Sequence, residues 1–398
     1  MSTEDRPLPA VQRAYFYVVL LVAIHMIVLG VANLLRVGAE IALGAPSGGF
    51  TGLPFVFADF NRPREQYREQ ASLAIALLLV AVPAWYLHYR AADAAARRSL
   101  LERGSALRSA YLHIVVLVTA LLVFGYGQRV LHLILQALLV GDSTVFPLEP
   151  SWPARAAGAL VMAITAAGAL VFHLRLAAAD RATGALSGRA AALGQIVRYA
   201  LAVIGLFFFA FSVASTLAGL WQRLLFPFPD PVFPPGVPAR PVPDRGVSLR
   251  FDLANAIPGI VSGLALWLAA WLPSQRVAFG ADLVERTSVS RRLAVYFVIA
   301  VSAFVVLFGV VTTIAPLLAR ALGERITDAD LGRAIGSPLV FAAVFATVWW
   351  YHRRVIEREA RREVEAGSAA GVRRSYYYLI AAIGLAMAAI ARPITAIR

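Results

Sequence analysis

Nine mostly apolar runs divide this chain, at 14–35, 70–88, 109–128, 154–174, 196–220, 253–275, 293–318, 333–352 and 375–391, and no Asp, Glu or Arg falls in the central part of any of them. About 20 such residues cross the roughly 30 Å of hydrocarbon in a bilayer. In lipid an unsatisfied backbone group costs several kcal/mol, so uninterrupted spans of this kind must be helices. The chain has 398 residues, 60% of them hydrophobic, too apolar for a soluble domain of that length. The expected fold is therefore an all-α polytopic membrane protein of about nine transmembrane helices.

The runs alternate in type. Odd helices open on an arginine with tyrosine close by: Arg13 with Tyr15 and Tyr17, Arg108 with Tyr111, Arg198 with Tyr199, Arg292 with Tyr296, Arg374 with Tyr376 and Tyr378. Even helices close on a shared motif, aligned on its last arginine. It reads Trp85-x-x-His88-x-Arg90, Leu170-x-x-His173-x-Arg175, Trp271-x-x-Ser274-x-Arg276 and Trp349-x-x-His352-x-Arg354. The repeating unit is a helical hairpin, and the expected divisions are 1–104, 105–193, 194–290 and 291–371, four tandem pairs, with 372–398 holding an unpaired ninth helix. Counting from each opening arginine, Gly30, Gly125, Ser215, Gly309 and Ala391 share one depth; all are small and predict close helix approach there.

Charge predicts orientation. The basic residues are all arginine, and 22 of the 37 lie at the N-terminus and in the connections that follow the motif, against 11 acids; the opposite ends carry 15 against 12. Basic residues in short loops stay in the cytoplasm, so the N-terminus and the motif ends are expected there and the C-terminus outside, in a bacterial cytoplasmic membrane. Arginines at the ends of apolar runs fit lipid headgroups rather than nucleic acid, despite a pI near 10.7. The run 14–35 is too long for a signal-peptide core and reads as an anchor that stays. Arg36, Arg129, Arg223 and Arg320 lie toward the outer ends, where snorkelling accounts for them. The outer connection 227–243 is proline-rich and favours an extended polyproline conformation.

The residues most open to a functional reading are the motif positions Trp85, His88, Arg90, His173, Arg175, Trp271, Arg276, Trp349, His352 and Arg354. One reading is an interfacial anchor, with an aromatic belt, a polar cap and an arginine at the headgroups. The other is a shared site, a proton relay or a metal or headgroup pocket, which requires the three histidines to converge; Ser274 breaks the series. There is no Cys, so thiolate chemistry is excluded. Without Lys there is no Walker A loop, and His-Glu-x-x-His and Gly-x-Ser-x-Gly are absent. No metal ligand set, catalytic residue or cofactor is indicated.

The string Arg13-Ala14-Tyr15-Phe16-Tyr17, followed by Pro83-Ala84-Trp85-Tyr86-Leu87-His88-Tyr89-Arg90, resembles the bacterial membrane domain of unknown function 5671. The resemblance is closest over 12–100, fades in the second and third hairpins and partly returns at 291–378. It implies a helical multi-pass domain built of hairpins and supplies no activity. The preferred expectation is a non-enzymatic scaffold or subunit of a membrane complex, binding the lipid bilayer, other membrane subunits or a second copy of itself through the ninth helix. The alternatives are a channel or carrier for an uncharged or amphipathic solute and an interfacial lipid-modifying enzyme.

Overall fold

The computed structural model describes residues 9–43, 63–141, 151–226, 245–279, 288–362 and 367–390. They form nine long helices and one single-turn helix, with no strand among the described residues. In chain order these are α1 (Ala10–Ala42), α2 (Pro63–Arg98), α3 (Leu100–Arg103), α4 (Ala106–Leu139), α5 (Trp152–Ala182), α6 (Gly188–Leu224), α7 (Arg245–Phe279), α8 (Val289–Ala321), α9 (Asp328–Arg362) and α10 (Gly367–Ile390). Eight of them, α1, α2, α4, α5, α6, α7, α8 and α9, contain stretches long and apolar enough to cross a membrane. The proline-rich segment 227–243 and most of the outer connection 45–66 lie outside the described residues.

The helices pair as antiparallel hairpins. On α1 and α2, Tyr15 meets His88, Gly30 meets Leu78 and Arg36 meets Gln70, so one helix descends as the other rises. The same opposition joins α4 to α5 through Arg108–Asp180 and Tyr111–His173. It joins α6 to α7 through Tyr199–Trp271 and Gly205–Trp267, and α8 to α9 through Arg291–Glu359 and Gly309–Pro338. Each hairpin thus brings the opening arginine and tyrosine of one helix to the closing motif of its partner. This shared end is the basic end below.

The chain divides into two compact units, 1–197 with 244–262 and 198–243 with 263–398. In the first, α1 packs against α2, α4 and α5. Its core gathers at the basic end, where Tyr17, Leu20, Ile24, Ala92, Tyr111, Leu112, Val115 and Ala177 are buried together. In the second, α8 packs against α9 and α10, and Phe207, Phe211, Phe341 and Phe345 make an aromatic spine between α6 and α9.

Within both units the outward faces are apolar. Leu79 is 72% exposed on α2 and Phe308 60% exposed on α8. Water would penalise such helices; hydrocarbon would not.

The expected close approach at small residues is met unevenly. A Cβ at Gly309 would come within 2.6 Å of the Pro338 carbonyl, and one at Gly30 within 2.9 Å of Leu78, but Gly125 has nothing within 4 Å. A tight backbone-to-backbone crossing lies elsewhere. Gly205 and Gly263 face each other between α6 and α7, where an added Cβ would meet backbone nitrogen at 2.5 and 2.6 Å. Replacing Gly205 by Leu must push the two backbones apart, at a cost of about 3 kcal/mol. We expect it to lower the thermal midpoint of the detergent-solubilised protein clearly, while Gly125→Ala leaves that midpoint unchanged or raises it slightly through helix propensity.

Candidate functional site: the buried polar clusters of the two units

The basic end of each unit is built around arginines at helix starts. In the first unit, Ser99 caps α3 by accepting from the Glu102 amide, and this single turn carries the Glu102 carboxylate under α1. Arg13 Nε donates to Glu102 Oε2 at 2.8 Å and Tyr17 Oη to Oε1 at 3.3 Å. Ser105 caps α4 and positions Arg108 in its first turn. Arg108 then grips Asp180 of α5 with two bonds, Nε to Oδ2 at 2.6 Å and Nη2 to Oδ1 at 3.3 Å. Arg103 approaches the same carboxylate at 3.5 Å. Glu102, Arg108 and Asp180 are all buried, so the pairs compensate charges that water cannot reach.

The second unit repeats the device. Ser288 caps α8. Arg291, with no exposed surface, donates through Nε and Nη2 to Glu359 Oε1, through Nη1 to Tyr199 Oη at 3.2 Å and through Nη2 to Gln275 Oε1 at 3.2 Å. Arg292 pairs with Glu359 Oε2 at 3.3 Å. The Arg291 guanidinium also lies 5.3 Å from the centre of the Trp271 ring.

The closing motif splits by helical geometry. The histidine faces inward and the terminal arginine out, while of the tryptophans Trp271 is buried and Trp85 and Trp349 are half-buried. His173 and His352 are fully buried and His88 is half-buried, whereas Arg90, Arg175, Arg276 and Arg354 are exposed. Arg90 and Arg354 fold back over the aromatic residue one turn before them, Tyr86 and Trp350. Trp85 stacks on Tyr89 at 4.8 Å, and Trp349 lies under Arg353 at 5.2 Å.

Trp271 is buried and its Nε1–H donates to Tyr351 Oη at 2.9 Å. By the contacts it keeps, Trp271 takes the place of Tyr89: Tyr89 lies near Arg108 as Trp271 lies against Arg291. Ser274 then matches the small buried Ala92, which explains the missing imidazole.

Each motif histidine uses Nδ1–H to bond the carbonyl one turn back: His88 to Ala84 at 2.7 Å, His173 to Ala169 at 2.8 Å and His352 to Val348 at 2.9 Å. A carbonyl only accepts, so Nδ1 carries the proton and Nε2 of the neutral ring presents its lone pair. Tyr111 Oη donates to His173 Nε2 at 2.9 Å, and Tyr15 Oη lies 3.3 Å from His88 Nε2. His88 and His173 belong to the first unit and His352 to the second, each with its own partners. No group of three or more His, Asp or Glu among the described residues is arranged to hold a metal ion.

At the opposite end of the first unit, Arg36 corrects the snorkelling expectation. It is 4% exposed and points inward, because α1 and α2 supply polar partners there. Nη1 donates to Glu40 Oε1 at 2.9 Å and Nη2 to Gln70 Oε1 at 2.8 Å. Gly158 of α5 leaves room for this pair; a Cβ there would lie 3.0 Å from Arg36 Cγ.

The sequence marked Arg13 and Arg108 at helix starts but took Arg292 for the opening arginine of α8, where Arg291 is the one that bonds Glu359, Tyr199 and Gln275, and it missed the partner acids. For Glu102 the missed signal is the string Leu101-Glu102-Arg103-Gly104-Ser105, which sets an acid and a capping serine just before the helix that Arg108 opens.

Removing one partner of the Arg291 pair isolates a buried charge. Glu359→Leu should therefore cost about 3–5 kcal/mol. The double substitution Arg291→Met with Glu359→Leu should cost much less than the sum of the singles. A double-mutant cycle on thermal unfolding in detergent reads the difference.

No curated protein and no solved structure matches the chain. A family described as a domain of unknown function (DUF5671) matches it twice, over residues 13–168 and 195–340. The first match runs from the opening arginine of α1 into α5, and the second from α6 into α9, so each copy takes in two hairpins. Together the matches cover well over half of the residues, and the chain belongs to the DUF5671 family.

Proposed function

We propose that this protein is a non-enzymatic integral membrane component that recognises partner subunits or lipid, with its N-terminus and basic ends in the cytoplasm and its C-terminus outside. Eight helices of spanning length and the apolar outward faces support the membrane reading. The arginine surplus of the basic ends supports the orientation. A bacterial cytoplasmic membrane is the setting in which that charge rule applies.

The observation that carries a partner role is α10. It is the helix left over when the hairpins are paired, and it docks on α8 through Tyr296 and Tyr376, whose rings are 5.0 Å apart. Tyr377, Tyr378 and Leu385 stand 61%, 74% and 72% exposed. A tyrosine-rich, unpaired helix is suited to bury itself against another membrane subunit or a second copy. The buried carboxylates at the basic ends, Glu102, Asp180 and Glu359, are each paired with an arginine of their own unit, which favours a structural role for them over acid–base chemistry.

Two measurements test this. A reporter fused after Arg97 should be cytoplasmic and one after Pro235 external; the reverse pattern refutes the orientation. Protein purified in mild detergent at native expression should carry a second chain, a second copy or bound lipid, and deleting 372–398 should release it. A bare monomer unaffected by the deletion counts against the partner role.

A further inference from the structure

One tyrosine position recurs near the start of three odd helices, and in two of them it is covered. The string Arg13-Ala14-Tyr15-Phe16-Tyr17 of α1 returns in α10 as Arg374-Ser375-Tyr376-Tyr377-Tyr378. Tyr17 and Tyr199 each lie four residues past the start of a family match, at 13 and 195. Tyr17 is 5% exposed and Tyr199 2%, and each lies beside the first-turn arginine of a later odd helix, Arg108 and Arg291. Tyr378, at the same position in α10, is 74% exposed.

The docking of α10 matches that reading. Five residues past Arg108, His113 packs on Gly194 in the next odd helix. Five residues past Arg291, Tyr296 packs on Tyr376 in the next odd helix, α10. So α10 stands where a third copy of the repeat would open. In the first copy this opening string is covered by α3 and α4. Arg13 Nε donates to Glu102 Oε2 at 2.8 Å, the Tyr17 hydroxyl donates to the same carboxylate, and the Tyr17 and Tyr111 rings stack at 5.7 Å. Arg374, the counterpart of Arg13, is exposed and pairs with no acid among the described residues.

A second copy of this chain is a poor source of that acid. Residues 366–398 contain none, so α10 against α10 sets arginine on arginine. The described acids of the basic ends, Asp93, Glu102, Asp180, Glu357 and Glu359, are each paired with an arginine of their own unit. Resting on the partner role above, we propose that the Arg374–Tyr378 face of α10 seats a transmembrane helix of a different polypeptide, which brings a carboxylate to Arg374 and an aromatic ring to Tyr378. These contacts reproduce those that Glu102 and Tyr111 make with Arg13 and Tyr17. The ring supplies contact area, and the charge pair fixes register and selects the partner.

The test uses the full chain in its native membrane, with the photocrosslinker p-benzoylphenylalanine in place of Tyr378 and mass spectrometry of the crosslinked peptide. The expected product joins position 378 to a membrane helix of another protein, with an Asp or Glu within a turn of the attachment point. Arg374→Glu should lower the yield about tenfold, and exchanging the partner's acid for arginine should restore it. Arg374→Gln should lower it severalfold, so the test survives if the reversed charge disturbs insertion. Arg98→Glu, the same charge change on an exposed arginine of α2, should leave the yield unchanged. A crosslink to a second copy, within the same chain or to lipid alone overturns the proposal. So does a captured helix without an acid, a yield indifferent to Arg374, an equal loss in Arg98→Glu or an exchange that restores nothing. A crosslinker at Leu385 that captures another protein when position 378 captures none overturns this inference and leaves the partner role standing; silence at both positions counts against both.

Discussion

Burying an arginine at the start of a helix is the constraint on which the basic end of this protein depends. A guanidinium without exposed surface, as at Arg291, is tolerable only if an acid reaches it with good geometry. That requirement dictates where helices end and begin. The capping serines place Arg108 and Arg291 in first turns, and α5 and α9 must run far enough past the apolar core to deliver Asp180 and Glu359. The single turn α3 exists on the same terms, since it carries Glu102 to Arg13 and Tyr17. In a bilayer, hydrocarbon would not favour helix association by hydrophobicity, and ion pairs and tight backbone crossings such as Gly205–Gly263 would set hairpin register.

The histidines follow from that frame. Each donates Nδ1–H to its own helix and so offers an acceptor inward, and each unit must answer it. The first unit does so with tyrosines from the odd helices. The second keeps the imidazole but has alanine where the tyrosine stood. Duplication explains why the frame is shared, with Ala294 standing where the first unit has Tyr111.

Much of the fold was legible in the sequence. The long apolar runs, their alternation and the hairpin end-marks predicted the helices, because hydrocarbon leaves a backbone few other solutions. The roles of the marked residues were less legible. Trp85-x-x-His88-x-Arg90 reads as one anchoring motif, yet helical spacing sends His88 inward and Arg90 outward. Arg36 looked like a snorkelling arginine because its partner Gln70 lies on another helix. Asp180 and Glu359 were not singled out, since nothing local marks an acid as the partner of a distant arginine.

What the sequence by itself determined is the class, the hairpin plan and the family, since each rests on local composition and repeated spacing. Only the tertiary structure decided which charged residues are buried, which helix pairs cross closely and which partners the motif histidines take. Those properties belong to pairs of residues far apart in the chain, brought together when antiparallel helices come into register, and no single segment carries them.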